Sequence, residues 1–220
     1  MIKLSDITKI YNPKKSNEFQ ALKGISLEIP DGEFCAVIGK SGSGKSTLLH
    51  IIGMLDKFSS GTYMFDKISV GGLSDGAASK IRAGKIGFVK QDFALIEDYS
   101  VTDNVMLPLY PIKAKNKRKK TLEAIKKLGI SHLANKETSR LSGGEKQRAA
   151  IARAIVNDPK IILADEPTGS LDSKSAAEIM NVFKELNAGG KTIVIVTHDK
   201  SIAEQCGRII EISDGKIMSD

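Results

Sequence analysis

Hydrophobic and polar positions change their period along this chain, and the changes divide it into regions. In the first third, apolar residues recur at short spacing in brief runs. Lys3 to Tyr11, Ala21 to Ile29, Phe34 to Ile38 and Gly61 to Phe65 are expected as strands, separated by turn signals such as Pro30-Asp31-Gly32. The opening run MIKLSDITKIY carries Asp6 and alternates, so it reads as a strand and not as a signal peptide. From about Val101 to Leu133 the spacing becomes helical, with Pro108 and Pro111 breaking the first helix early. Beyond Gly143, helical stretches alternate with short aliphatic runs. Ile161 to Ala164 and Thr192 to Val196 are nearly continuous in branched residues, as strands of a parallel sheet covered on both faces would be.

The pattern therefore predicts an α/β core, an antiparallel N-terminal sheet and a helical insertion. With no internal repeat, low-complexity segment or long linker, the 220 residues read as one module. An apolar fraction of 41% and a charged fraction of 27% are those of a globular chain and exclude a disordered one. No run is long and apolar enough to cross a bilayer as a helix. Cys35 and Cys206 show no metal spacing and sit among apolar neighbours, which predicts buried thiols in a reducing compartment.

A net charge of +7 suits an anionic partner such as a nucleotide, nucleic acid or lipid headgroups. Much of it is local: Lys113, Lys115, Lys117, Arg118, Lys119 and Lys120 crowd one stretch. A solvated loop leading into the helix TLEAIKKLGI accounts for this run. A surface facing anionic lipid is the other reading.

One loop carries definite chemistry. Gly39-Lys40-Ser41-Gly42-Ser43-Gly44-Lys45-Ser46 has the form GxxxxGK[ST], entered from an aliphatic strand and left through the helix TLLHIIGML. Its glycines let successive N–H groups turn inward toward phosphate oxygens, and the helix that follows presents its positive end to the same anion. Lys45 supplies a full charge for β- and γ-phosphates, and the Ser46 hydroxyl is a Mg²⁺ ligand of the right kind.

Further along, Leu141-Ser142-Gly143-Gly144-Glu145-Lys146-Gln147-Arg148 opens a helix, and Ser142 with Glu145 has the form of a capping box. Ile161 to Ala164 ends in Asp165-Glu166 and runs on through Pro167-Thr168-Gly169-Ser170-Leu171-Asp172. Paired acids after a strand fall at the ligand-binding edge of an α/β sheet. The next aliphatic strand ends in Thr197-His198-Asp199.

In this order these segments resemble the ABC (ATP-binding cassette) ATPases, and the resemblance runs from Tyr11 to the last strand. It implies a P-loop NTPase fold over residues 1–220, with a mostly parallel core sheet and an antiparallel β-subdomain over about 1–90 and 158–220. The helical subdomain would occupy about 92–157. It implies a nucleotide held by Gly39, Ser41, Gly42, Ser43, Gly44, Lys45, Ser46 and Thr47, with Tyr11 stacking on adenine. Mg²⁺ would be held by Ser46, Gln91 and Asp165. Glu166 would be the general base, with Lys45, Gln91 and His198 as the other catalytic groups. Ser142, Gly143, Gly144 and Asp172 would reach the ATP of a second copy. Lys90 departs from the apolar or aromatic residue expected before Gln91.

The resemblance extends to class. DGEFCAVIGKSGSGKSTLLHIIGMLD and DEPTGSLD are similar to the macrolide-exporter, lipoprotein-release and bacteriocin-export ATPases. It implies an ATP-hydrolysing subunit, cytoplasmic and peripheral to the membrane, that pairs with itself and with a separate membrane permease docked near Phe93 to Val105, and binds no nucleic acid. Export of, or resistance to, a peptide or similar amphipathic substrate is one implied role. A regulator of a membrane complex that moves no cargo, as in the cell-division relatives, is the alternative.

Overall fold

A computed structural model describes all residues from Met1 to Asp220. The chain forms two compact units, one made of Met1–Ser79 with Val194–Asp220 and the other of Lys80–Ile193.

The first unit begins with an antiparallel sheet in the order β2-β1-β4-β5, where β1 is Ile2–Tyr11, β2 Phe19–Ile29, β4 Ser60–Phe65 and β5 Ile68–Ser69. Pairing runs from Ile2 opposite Ile29 to Tyr11 opposite Phe19, with breaks in register after Leu4. The first break, between Leu4 and Ile7, spans Asp6, whose φ of 49° marks a bulge in the strand. Ile2, Leu4 and Ile7 are buried, while Lys3 and Asp6 face out.

The same unit contains β3 (Phe34–Ile38), α1 (Lys45–Ile52), α7 (Lys200–Ala203), β9 (Arg208–Ser213) and β10 (Lys216–Ser219). β3 pairs in parallel with β9, Cys35 opposite Arg208 through Ile38 opposite Glu211. The β9–β10 hairpin turns through Asp214 (φ 47°) and Gly215 (φ 75°), the Asp-Gly pair that a tight two-residue turn favours. Cys35 is fully buried, as expected, and burial pushes its thiol far up. Cys206 is only half-buried. It follows exposed Glu204 and Gln205 in the turn after α7, so its apolar neighbours in sequence do not enclose it.

The second unit holds β6 (Ile86–Lys90), α3 (Val101–Met106), α4 (Lys117–Lys127), α5 (Gly143–Ile155), β7 (Ile161–Asp165) and α6 (Ser173–Ala188). α2 (Asp75–Lys85) leads the chain into it and β8 (Thr192–Val196) leads it out. β6 and β7 run parallel, Ile86 opposite Ile161 through Lys90 opposite Asp165. A Cβ on Gly87 would lie 2.5 Å from the Ala154 carbonyl oxygen, so this glycine sets how closely β6 and α5 approach. α5 is the hub of the unit and packs against α3, α4, α6 and β6. Pro108 falls in a short 3-10 turn, Leu107–Leu109, which ends α3 where the sequence pattern placed the break.

Helix α2 has no buried residue, and its apolar positions are few and small apart from Ile81. α4 begins at Lys117, so Lys117, Arg118, Lys119 and Lys120 lie in a helix and Lys113 and Lys115 in the loop before it. The loop Ile96 to Ser100 is fixed from inside by a fully buried amide. Asn104 accepts from the Ile96 N–H at 2.8 Å and donates back to its carbonyl at 3.0 Å. Thr138 adds a 2.8 Å bond to the same carbonyl.

Candidate nucleotide site

In the first unit, β3 delivers the chain into the glycine loop and α1 takes it out. Gly39, Gly42 and Gly44 have φ of 151°, 78° and 106°, a conformation that side chains resist. Space excludes them as well. A Cβ on Gly39 would stand 2.1 Å from the Ile212 carbonyl oxygen, and one on Gly44 2.8 Å from that of Ala21. Gly44 occupies the N-cap of α1, no side chain caps the helix, and its first turn holds no acid. The positive end of α1 is thereby left to an anion.

Two side chains inside this loop test whether phosphate fits. Lys45 is buried, and its ammonium donates to the carbonyls of Gly39 and Lys40 at 2.8 Å each. The Ser43 hydroxyl is buried with no hydrogen-bond partner. A buried hydroxyl without a partner costs free energy, and a phosphate oxygen is a group that would satisfy it. The donor set, backbone N–H groups, an ammonium and hydroxyls, matches a polyphosphate.

Tyr11, at the end of β1, is half-buried rather than packed inside its sheet. Its hydroxyl donates to Asp56 Oδ2 at 2.8 Å and lies 3.5 Å from Thr47 Oγ1, next to the glycine loop. Lys9 sits 4.6 Å from the ring centre and also donates to Asp56 Oδ1 at 2.6 Å. Burial pushes the Tyr11 phenol up, and the Asp56 carboxylate adds to the rise. Burial alone would raise Asp56, but the bonds from Lys9 and Tyr11 and the Lys9 charge outweigh it and hold the carboxyl below its usual range. The ring is thus clamped in orientation, through a connection between Tyr11 and Asp56 that local pattern does not reveal.

His198 is exposed in the turn between β8 and α7. That turn is pinned at both sides. Thr197 N–H donates to the Val37 carbonyl at 3.1 Å, and Asp199 caps α7 by accepting from Ser201 N–H at 2.8 Å.

In the second unit, Asp165 ends β7 opposite Lys90, and Gln91 follows directly. Glu166 has φ of 48°, a left-handed conformation that costs a non-glycine residue about 1–3 kcal/mol. Gln91 Nε2 stands 2.9 Å from where a Cβ on Gly169 would be, and Gly169 N–H donates to the Glu166 carbonyl at 3.1 Å. Gln91 therefore lies against the loop that begins at Glu166, as close as a glycine there allows.

Ser142 is the N-cap of α5, and the capping box with Glu145 is fully formed. Hydrogen bonds from the Ser142 backbone and hydroxyl hold the Glu145 carboxyl below its usual range. Gly144 faces Ser175, where a Cβ would stand 3.1 Å from the hydroxyl, and Gly143 faces Leu171. Asp172 caps α6, accepting from Ser175 N–H at 2.9 Å and from its hydroxyl at 2.7 Å. Its carboxylate thus has an intrachain task besides any across a dimer. Sequence reasoning missed Gln147. This side chain on α5 is fully buried, and its amide donates to the Pro167 carbonyl at 2.6 Å while its own oxygen has no partner. A polar residue on the apolar face of α5 was the available signal.

The profile of the ABC transporter family matches residues 22–169. The chain belongs to the ABC transporter family. It is 46% identical to the ABC transporter ATP-binding protein YvrO of Bacillus subtilis over 222 residues, covering all of this chain and 96% of that protein. It is 44% identical to the macrolide export ATP-binding/permease protein MacB of Chlorobium luteolum, covering all of this chain but 33% of MacB. The dimeric MJ0796 cassette of Methanocaldococcus jannaschii superposes with a TM-score of 0.91 at 46% identity, over all of this chain and 97% of that one. A second MJ0796 structure, bound to ADP and Pi, is described as a post-hydrolysis state. This ABC chain is accordingly an ATPase, the ATP-binding subunit of an ABC transporter.

Proposed function

We propose that this chain powers export of a peptide or similar amphipathic substrate through a separate membrane permease, working as a pair with a second copy of itself. The observation that carries the nucleotide part is the glycine loop, which buries a lysine ammonium and an unpartnered hydroxyl at the open end of a helix.

Its residues have distinct roles. The glycine-loop N–H groups and Lys45 bind and neutralise the phosphates, and Tyr11 stacks on adenine. Glu166 accepts a proton from water, whose oxygen attacks the γ-phosphorus as the bond to the β–γ bridging oxygen breaks, giving ADP and phosphate. Gln91 and His198 orient the water and the γ-phosphate. Ser46, Gln91 and Asp165 are oxygen donors of the kind Mg²⁺ takes, and when bound the ion neutralises phosphate charge. Ser142, Gly143, Gly144 and Asp172 serve the partner copy's ATP. The dimeric MJ0796 cassette supports this pairing.

MacB, whose name joins ATP-binding and permease functions in one protein, supports a membrane partner. A groove of about 390 Å³ lined by Asp98, Tyr99, Asp103, Leu107 and Tyr110 would serve as the docking site on the cassette side. With Tyr99 exposed in it between two aspartates, it suits a permease loop that offers apolar side chains and a cation.

Glu166→Gln tests the reading, because it keeps the phosphate cradle and removes the base. The variant should bind ATP, lose most turnover and run as a dimer on size exclusion with ATP and Mg²⁺. A strict monomer under those conditions would falsify the paired mechanism.

A further inference from the structure

We propose that the loop before α4 and the outer face of α4 form a contact for an anionic lipid bilayer, made by this chain itself. α4 buries Thr121, Ala124 and Ile125, and Leu128 at its C-terminal end is buried too, which fixes its outer face. That face carries Arg118, Lys119, Leu122 and Lys126, with Leu122 one turn from both Arg118 and Lys126. Lys113 and Lys115 extend the positive surface into the loop, and both are exposed. Glu123 is the single acid in this stretch, and Lys119 approaches it at 4.0 Å.

Three apolar side chains stand out among these cations. Leu122 is 44% exposed, Tyr110 55% and Ile112 36%. The Lys117 ammonium lies 5.1 Å from the Tyr110 ring centre, so cation and ring share one surface. Nucleic acid would use the cations and gain nothing from an aliphatic Leu122 or Ile112. A bilayer uses both: headgroup phosphates attract Lys and Arg, while short apolar side chains enter the boundary with the acyl chains. The cations steer the protein to the surface and the apolar residues hold it there.

This inference stands apart from the transporter reading, because the chain alone should bind lipid with no permease present. The test is flotation of the full chain with vesicles of phosphatidylcholine, and with vesicles of phosphatidylcholine mixed with phosphatidylglycerol. Binding is expected only to the anionic vesicles, falling as salt shortens the Debye length below about 8 Å. Replacing Arg118, Lys119 and Lys126 together by Glu should cut the partition coefficient at least about tenfold. Leu122→Ser should lower it several-fold with the salt dependence retained, and both variants should keep normal ATP turnover. Control reversals at exposed Lys23 and Lys216 should leave binding intact. Equal binding to neutral vesicles, an unaffected triple variant, or displacement of the vesicles by duplex DNA would overturn the proposal. Absence of binding at low salt would overturn it too, and would leave the ATPase assignment standing.

Discussion

The Arg153 guanidinium, on α5, donates to the Phe93 carbonyl oxygen at 2.7 Å and also to that of Ala94. Phe93 and Ala94 have φ of 59° and 47°, two successive side-chain-bearing residues in the left-handed region. That conformation costs roughly 1–2 kcal/mol per residue, and Arg153 is the cation that holds it. Burial pushes the Arg153 guanidinium down, and the Asp92 carboxylate opposes the shift. The helix capped by Ser142 is thus tied to the segment that begins at Gln91.

Arg153→Ala should free that segment. Two carbonyls lose charged donors, so stability should fall by about 1–3 kcal/mol. Arg153→Lys restores the charge but not the fork, and should recover only part of it. Urea denaturation measures the loss. Turnover should fall more than the KM for ATP changes, because Gln91 is mispositioned while the glycine loop is untouched. An equal stability loss with unchanged turnover would make Arg153 purely structural.

Gln147→Met tests a second link within α5. The wild-type amide fixes the Pro167 carbonyl, one residue beyond Glu166, but leaves its own oxygen buried without a partner. Methionine of similar length removes that unsatisfied oxygen and the bond together. The Pro167 carbonyl loses its donor, so stability should fall by about 1–3 kcal/mol, offset in part by removal of the unsatisfied amide oxygen. Turnover should still fall as Glu166 loses its fixed neighbour. Thermal unfolding alongside single-turnover kinetics separates the two effects.

Much of this was legible in the residues. The glycine loop declared itself because strand, loop and helix follow in order, and Ser142 with Glu145 announced a capping box that the structure forms. Local pattern was enough for such features. Other features depend on residues distant in sequence. Asp56 reaches Tyr11 and Lys9 from far along the chain, and nothing in its own neighbourhood marks it. The left-handed turn at Phe93-Ala94 has no glycine to advertise it, since Arg153 stabilises it from outside. Helix α2 carries little signal, since its apolar positions are few and small apart from Ile81.

Asp56 makes stability depend on pH in a definite direction. Its carboxyl is held below the usual range in the folded chain, so its contribution is present above the unfolded value, about 3.9, and is lost as pH falls through the lower folded value. Asp56→Asn should destabilise the protein at neutral pH. Its deficit relative to the natural chain should shrink below about pH 4, where the aspartate becomes protonated as well. Denaturation midpoints compared across that range check the sign, and a deficit that grows on acidification would refute it.

Tyr11 offers two substitutions with opposite expectations. Its ring faces Lys9 at 4.6 Å, and its hydroxyl is spent on Asp56. Tyr11→Phe keeps the ring and breaks the clamp, leaving Asp56 to Lys9 and the Lys57 N–H. It should cost about 1 kcal/mol of stability and leave ATP affinity near normal. Tyr11→Ala removes the ring itself. If adenine stacks there, ATP and ADP affinity should weaken by about 1–3 kcal/mol. Free triphosphate affinity should not change, because the phosphates are held by the glycine loop and Lys45. Titration calorimetry with ATP and with inorganic triphosphate distinguishes these outcomes. A parallel loss for both ligands would mean that Tyr11 acts only by shaping the loop through Thr47, 3.5 Å from its hydroxyl, and unchanged ATP affinity in a folded Tyr11→Ala variant would remove the ring from the site.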